Sequence, residues 1–286
     1  MSDFAKVSVH GGHSGTFCGH ATDTLDEVVA RYAQLGFEWV CLTEHMPTEN
    51  PALMAPDEAA EGYDVPRLQA RFDSYFSRAR QLAEQYRGRM DILVGFETES
   101  YSGYAAEIAT LISRFQPDML VGSVHHLYDI LFDGSASHYQ QALARAGNIT
   151  QLYCDYFDAQ LALIERFEPA VIGHFDLIRI HDPDYPDRWE IPAIRNRAIR
   201  NLERIKALDL ILDLNMRALV KGASEPYISR PWLEYAINND IAVVPGDDSH
   251  GIANVGMKLE DGVAQFRALG GNTDWRKPQR GRHRQD

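Results

Sequence analysis

The chain has 286 residues, 45% hydrophobic and 24% charged, a balance that lets a globular protein bury a full core. Its net charge of −13 excludes partners that need clustered Lys and Arg, nucleic acid first among them, and points to a small ligand instead. No apolar run approaches the ~20 residues of a membrane span, and Cys18, Cys41 and Cys154 form no CxxC pair, so reduced thiols and no membrane partner are expected.

The opening MSDFAKVSVH lacks the basic start and apolar stretch of a secretory signal, which predicts a cytoplasmic location. Val7 to Val9 is strand-like. Thr22-Asp23-Thr24 then supplies cap groups for a helix whose apolar face is Leu25, Val28, Val29 and Tyr32 and which closes at Gly36. Trp39 to Leu42 reads as a buried strand. A longer helix follows on Val65, Leu68, Phe72, Phe76, Ala79, Leu82, Ala83 and Tyr86, ending at Gly88. Further strands fall at Ile92 to Phe96, Met119 to Val124, Ala170 to Gly173, Leu210 to Leu214 and Ile241 to Val244. Helical patterns separate them around Ile108-Leu111-Ile112-Phe115, Leu152-Tyr156, Ile194-Ile199-Leu202-Ile205 and Leu233-Ile237.

Apolar strands alternating with amphipathic helices specify an α/β fold with a parallel sheet. No GxGxxG follows the first strand, and polar residues collect after many strands rather than at one switch point, which favours a barrel over an open sheet. The barrel is expected to occupy residues 1–271. Residues 272–286, with Arg276, Lys277, Arg280, Arg282 and Arg284 and no apolar period, read as a disordered basic tail.

Eight of the eleven histidines lie at or near strand carboxyl ends, all but His138, His181 and His283, and in a barrel these ends share one mouth. His10, His13, His20, His45, Glu97, His125, His174, Asp248 and His250 form a donor set of neutral imidazoles with a few carboxylates, which suits zinc, manganese or iron. A tetrahedral zinc needs about four ligands, so this set predicts two to three ions, an arrangement fit for hydrolysis.

The stretches HGGHSGTFCGHA, LTEHMP, VGFETE, VGSVHH, IGHFDLIR and PGDDSHG resemble, in order and spacing, the PHP (polymerase and histidinol phosphatase) family, and look most like its histidinol-phosphate phosphatases. The resemblance implies a distorted seven-stranded (β/α)7 barrel with a trinuclear site and a small phosphorylated substrate, L-histidinol phosphate, hydrolysed by a metal-bound hydroxide. One ion would take His10, His13, Glu97 and Asp248. A second would share Glu97 and add His125 and His174, and a third would take His20, His45 and His250. Glu97, Asp248 and His250 are the residues expected to carry catalysis, and Arg217, Lys221, Arg179 and His126 those expected to meet substrate. Glu99, Asp176 and Asp247 are weaker candidates, for the substrate's cationic groups or as acceptors behind ligating histidines.

Two departures matter. Family members commonly open with His-x-His, whereas Gly11 and Gly12 separate His10 from His13 here, so a bulge has to restore convergence. In LDLNMRALVKG, Val220 stands where the family usually has Arg, and Arg217 lies nearby. The competing readings are a phosphatase or phosphodiesterase for another small substrate, a carbamylated-lysine amidohydrolase barrel and a metal-stabilised module without catalysis. No lysine stands at the ends of the third to fifth strands to make the amidohydrolase bridge.

Overall fold

Residues 3–284 are described by a computed structural model. Seven parallel strands carry the fold: β1 (Val7–Ser8), β2 (Trp39–His45), β3 (Asp91–Glu97), β4 (Leu120–Gly122), β7 (Val171–Ile172), β8 (Ile211–Asn215) and β9 (Ala242–Gly246). A small antiparallel hairpin, β5 (His126–Leu127) and β6 (Ile130–Leu131), sits between β4 and β7. The sheet order follows the chain order, and the Val9 N–H donates to the Pro245 carbonyl at 2.9 Å, which brings the last strand against the first. This is the parallel barrel that the strand pattern predicts, in the distorted (β/α)7 form that the resemblance implies.

Period-2 alternation decides what each strand offers the barrel interior. Val7, Trp39, Cys41, Leu93, Met119, Val121, Val171, Ile211 and Val244 pack with one another as a buried cluster. Their neighbours Val40, Leu42, Ile92, Val94, Leu120, Ile172, Leu212 and Val243 belong to the larger core beneath the helices. Two to four residues further along the inward faces, the apolar plug gives way to polar groups: His45 pairs in register with Glu97, and Asp213 and Asn215 lie at the carboxyl end of β8. The lower barrel is therefore a hydrophobic floor and its upper rim a polar site.

The helices obey their sequence signals. Thr24 caps helix Leu25–Gln34 in a capping box with Glu27, and the helix buries Leu25, Val28, Val29 and Tyr32. Asp64 caps Val65–Gln85, which lays Phe72, Tyr75, Phe76, Ala79 and Leu82 against the sheet. Differences from the expected elements are local. β2 and β3 run on to His45 and Glu97, so two site residues stand in the strands themselves, while β1, β4 and β7 are shorter than their apolar runs. Helix Ala136–Ala146 escaped the periodicity because only Tyr139 and Ala142 are buried on it. Among the described residues no helix is long and apolar enough to cross a membrane.

Within the segment expected to be a disordered tail, residues 272–284 pack on the barrel, and residues 285 and 286 lie outside the described residues. Arg276 and Arg282 pair with Asp209, Lys277 and Arg280 with Asp91, and Arg280 also with Asp118, all at or just before the amino ends of strands. The Trp275 indole N–H donates to the Ala5 carbonyl at 2.9 Å and the ring packs against Phe4 and Phe266. Charge composition alone could not reveal this, because the acidic partners are distant in sequence.

Candidate metal centre

Glu97 is the hub of the site. It is 1% exposed, and its Oε2 lies 3.1 Å from His10 Nε2, 3.8 Å from His13 Nε2 and 3.3 Å from His45 Nδ1. Its Oε1 faces the opposite side, 3.3 Å from His125 Nε2 and 3.0 Å from His174 Nε2. Each oxygen thus addresses a separate group of imidazoles, as a carboxylate shared between two ions must. Asp248 approaches from the loop after β9, 3.6 Å from His13 Nε2 and 3.5 Å from His250 Nδ1. His20 Nε2 stands 3.1 Å from His250 Nε2. All nine expected donors meet at one mouth.

The Gly-Gly insertion does not expel His10. The ladder of β1 ends at Ser8, and Gly11 (φ 149°) and Gly12 (φ 79°) take conformations that L side chains rarely adopt, folding the chain back without a bulge in the ladder. A Cβ on Gly11 would press on Tyr32 Oη at 2.8 Å, and one on Gly12 on Leu42 Cδ2 at 2.5 Å. The same turn bonds to the loop after β9: Asp248 N–H donates to the His10 carbonyl at 2.9 Å and His13 N–H to the Ser249 carbonyl at 3.0 Å. His174 (φ 21°) and Asp248 (φ 47°) are themselves in the left-handed region, strain of a kind that gathers at functional sites.

Behind the donors stands a ring of carboxylates. Asp213 Oδ2 is 2.8 Å from His10 Nδ1, Glu44 Oε1 3.1 Å from His13 Nδ1, Glu99 Oε2 3.0 Å from His125 Nδ1 and Asp57 Oδ2 3.1 Å from His20 Nδ1. Such contacts fix the tautomer and aim the other ring nitrogen inward. Of these only Glu99 was a candidate in the sequence. Glu44 follows the second strand but is overshadowed by His45 beside it, Asp213 looks like an ordinary strand residue, and Asp57 lies outside any strand end. Asp247, a weak candidate, instead accepts from Tyr32, Ser8 and Gly256 away from the imidazoles, and Asp176 accepts from Ser229.

The donor set fits cations. His10 Nε2, His13 Nε2 and both ring nitrogens of His45 are shielded from solvent yet make no hydrogen bond of acceptable geometry, despite the short approach of His10 to Glu97. An unsatisfied buried polar atom costs about 1–3 kcal/mol, so four together are explained by ions rather than by packing. Burial opposes charge throughout, but the imidazoles hold Glu97, Glu99 and Asp248 well below the usual carboxylate range. Burial, reinforced by neighbouring imidazoles, keeps His13 and His250 well below the ordinary histidine pKa, in the neutral form that ligates. Burial is outweighed at His45 by Glu97 and Glu99, which raise it to about 9, and at His10 and His125 by their carboxylate neighbours, which raise both well above 6.5.

A cleft of about 440 Å³ opens above the cluster, lined among others by Phe17, Asp57, Glu58, Tyr101, His126, Asp133, Arg217, Lys221 and Tyr227. Arg217 begins a short helix, Arg217–Val220, with its N–H on Asn215 Oδ1 at 2.9 Å and Nη1 on Asn254 Oδ1 at 3.2 Å. His126 reaches Glu99 Oε2 at 3.1 Å. Arg179 departs from expectation. It is 6% exposed, donates to the Pro226 carbonyl at 2.7 Å and lies over the rings of Tyr227 and Tyr185, supporting the cleft wall from behind rather than lining it. The remaining histidines, His138, His181 and His283, have no place in the cleft lining.

A model of the PHP domain family matches residues 11–217. The chain is similar to the Schizosaccharomyces pombe protein named "Probable histidinol-phosphatase", 34% identical over 257 residues, 88% of this chain and 82% of that one. It is 29% identical over 284 residues to the histidinol-phosphatase of Saccharomyces cerevisiae, covering 87% of this chain and 84% of the relative. Among solved structures, hisK of Listeria monocytogenes superposes with a TM-score of 0.78 at 24% identity, over 90% of this chain and 99% of that one. Histidinol phosphate phosphatase of Lactococcus lactis, solved with Zn, L-histidinol and phosphate, gives 0.69 at 19% identity, over 96% and 97%. At these identities the two structures speak for the fold.

Proposed function

Because the chain belongs to the PHP domain family, we propose that it is a metal-dependent phosphomonoesterase hydrolysing L-histidinol phosphate to L-histidinol and phosphate, a cytoplasmic step of histidine biosynthesis. The observation that carries this reading is Glu97, with imidazoles on both carboxylate oxygens, beneath a cleft that holds Arg217 and Lys221. The names of the two yeast relatives and the ligands of the Lactococcus lactis structure support the substrate.

His10, His13, His20, His45, Glu97, His125, His174, Asp248 and His250 would hold two to three zinc, manganese or iron ions, within a catalytic domain of residues 1–271. Such ions, when bound, supply an acidified water as nucleophile and positive charge for the non-bridging phosphoryl oxygens. The chain's own residues do the rest. Arg217 can give two parallel hydrogen bonds to outward phosphate oxygens and Lys221 a point charge. Asn215 donates to Asp213 Oδ2 at 2.8 Å and to Asp248 Oδ2 at 3.2 Å while receiving the Arg217 N–H, so it ties the anion clamp to the donor set. Asp57, Glu58 and Asp133 make the cleft wall acidic, which suits a cationic leaving group. His126, held by Glu99, lines the same cleft and is within reach of a bound substrate.

The test is phosphate release by zinc- or manganese-loaded protein from L-histidinol phosphate beside sugar phosphates, nucleotides and phosphodiesters. L-histidinol phosphate is expected to give the highest kcat/KM. A clear preference for another compound overturns the substrate assignment.

A further inference from the structure

The loop after β1 places a thiol among imidazoles. Cys18 is 4% exposed, and its Sγ lies 3.4 Å from both ring nitrogens of His20. His20 Nε2 is in turn 3.1 Å from His250 Nε2, and the donor atoms of Cys18, His20, His45 and His250 all fall within 4.8 Å of one another. Bonds of ~2.3 Å to sulfur and ~2.05 Å to nitrogen at the tetrahedral angle require edges of about 3.5 Å (S to N) and about 3.3 Å (N to N). The Cys18 Sγ to His20 Nε2 separation of 3.4 Å and the His20 Nε2 to His250 Nε2 separation of 3.1 Å lie close to those edges.

A second observation points the same way. Both ring nitrogens of His45 are shielded from solvent and without a hydrogen-bond partner. Asp57 occupies the Nδ1 side of His20 at 3.1 Å, which leaves Nε2 directed into the group. A carboxylate on one nitrogen and a free second nitrogen is how ligating imidazoles are held. Gly19, between the two ligand-bearing residues, passes so close to Asp57 that a Cβ there would meet Oδ2 at 2.6 Å.

We propose that Cys18 is the fourth protein ligand of the ion held by His20, His45 and His250, making that position a thiolate–imidazole site for a soft dication such as zinc. The proposal rests on the metal-dependent reading above. It divides the centre by chemistry: positions around Glu97 and Asp248 mix nitrogen with oxygen, whereas this one is sulfur and nitrogen and discriminates against manganese and magnesium. With four protein ligands it is closed, like a structural zinc site, and fastens the loop of residues 10–20 to the mouth of the barrel.

The experiment is zinc-edge X-ray absorption of the zinc-loaded wild-type enzyme, paired with optical spectra of the cobalt(II)-loaded wild type, Cys18→Ser and Cys18→Ala. Expected are a sulfur scatterer at ~2.3 Å and an intense near-ultraviolet sulfur-to-cobalt band, lost in both variants together with tight binding of one ion. A zinc shell of nitrogen and oxygen only, or a cobalt band unchanged by the substitutions, overturns the proposal. The X-ray measurement needs no variant, so a misfolding Cys18→Ala protein does not blunt the test. Phosphate release from L-histidinol phosphate by the same wild-type preparation separates the two readings. Activity without a sulfur shell removes Cys18 alone, and a sulfur shell without activity upholds Cys18 and removes the phosphatase assignment.

Discussion

Asp213 Oδ2 lies 2.8 Å from His10 Nδ1, both groups fully buried, so β8, the sixth strand in the sheet order that begins with β1, decides which nitrogen of His10 faces Glu97. Asp213→Asn keeps the shape and removes the charge. It is expected to lower metal affinity by about 10- to 100-fold, as loss of such an orienting partner typically does. Chelator competition on the purified variant measures this, and affinity equal to wild type would remove Asp213 from the site.

Arg217 is the residue whose loss separates anion binding from metal binding. One charge-assisted clamp is worth roughly 1.5–3 kcal/mol, so Arg217→Ala should lower kcat/KM for L-histidinol phosphate by about ten- to a hundredfold. Metal content should be unchanged. Kinetics and elemental analysis of one preparation decide it, and an unaltered kcat/KM would return the role to Lys221.

Substitution of histidines tests the clustering directly. His45→Ala, His125→Ala, His174→Ala or His250→Ala should abolish turnover, whereas His138→Ala and His283→Ala should keep it near wild type. Comparable losses in both groups would show that position at the barrel mouth has no bearing on function.

Metal binding should depend steeply on pH. The metal-free protein holds protons on His45, raised to about 9, and on His10 and His125, raised well above 6.5, because their carboxylate neighbours outweigh burial. An imidazolium cannot ligate, so ions must displace these protons. Affinity therefore rises with pH up to about 9 and falls as the solution is acidified. Calorimetry in buffers of different ionisation enthalpy should show proton release on binding at pH 7. Binding without proton release contradicts the assignment of these imidazoles as ligands.

The C-terminal segment should contribute stability through packing more than charge. Its ion pairs are largely exposed and worth about 0.2–1 kcal/mol each, while covering the Trp275 ring is worth about 2 kcal/mol. Trp275→Ala is thus expected to lower the thermal midpoint more than Lys277→Ala, and high salt should leave most of the Trp275 effect intact. A destabilisation erased by salt would place the fastening in the ion pairs instead.

Fold class and most of the site are legible in the chain because both rest on local regularities. Apolar alternation in Trp39 to Leu42 and Ile92 to Phe96 marks strands whatever their neighbours are, and a barrel brings strand ends together, so His45, Glu97, His125, His174, Asp248 and His250 can be singled out by position alone. What the tertiary structure decided is pairwise. Glu44, Asp57 and Asp213 are aimed at imidazoles by contacts spanning 31, 37 and 203 residues of chain, and no local pattern encodes such a partner. Arg179 and the basic segment are placed by packing for the same reason: a guanidinium follows the carbonyls, carboxylates and rings that packing leaves within its reach. Even the Gly11-Gly12 turn, plain as a sequence feature, keeps His10 in the site only because the loop after β9 bonds to its backbone and Asp213 waits below the ring.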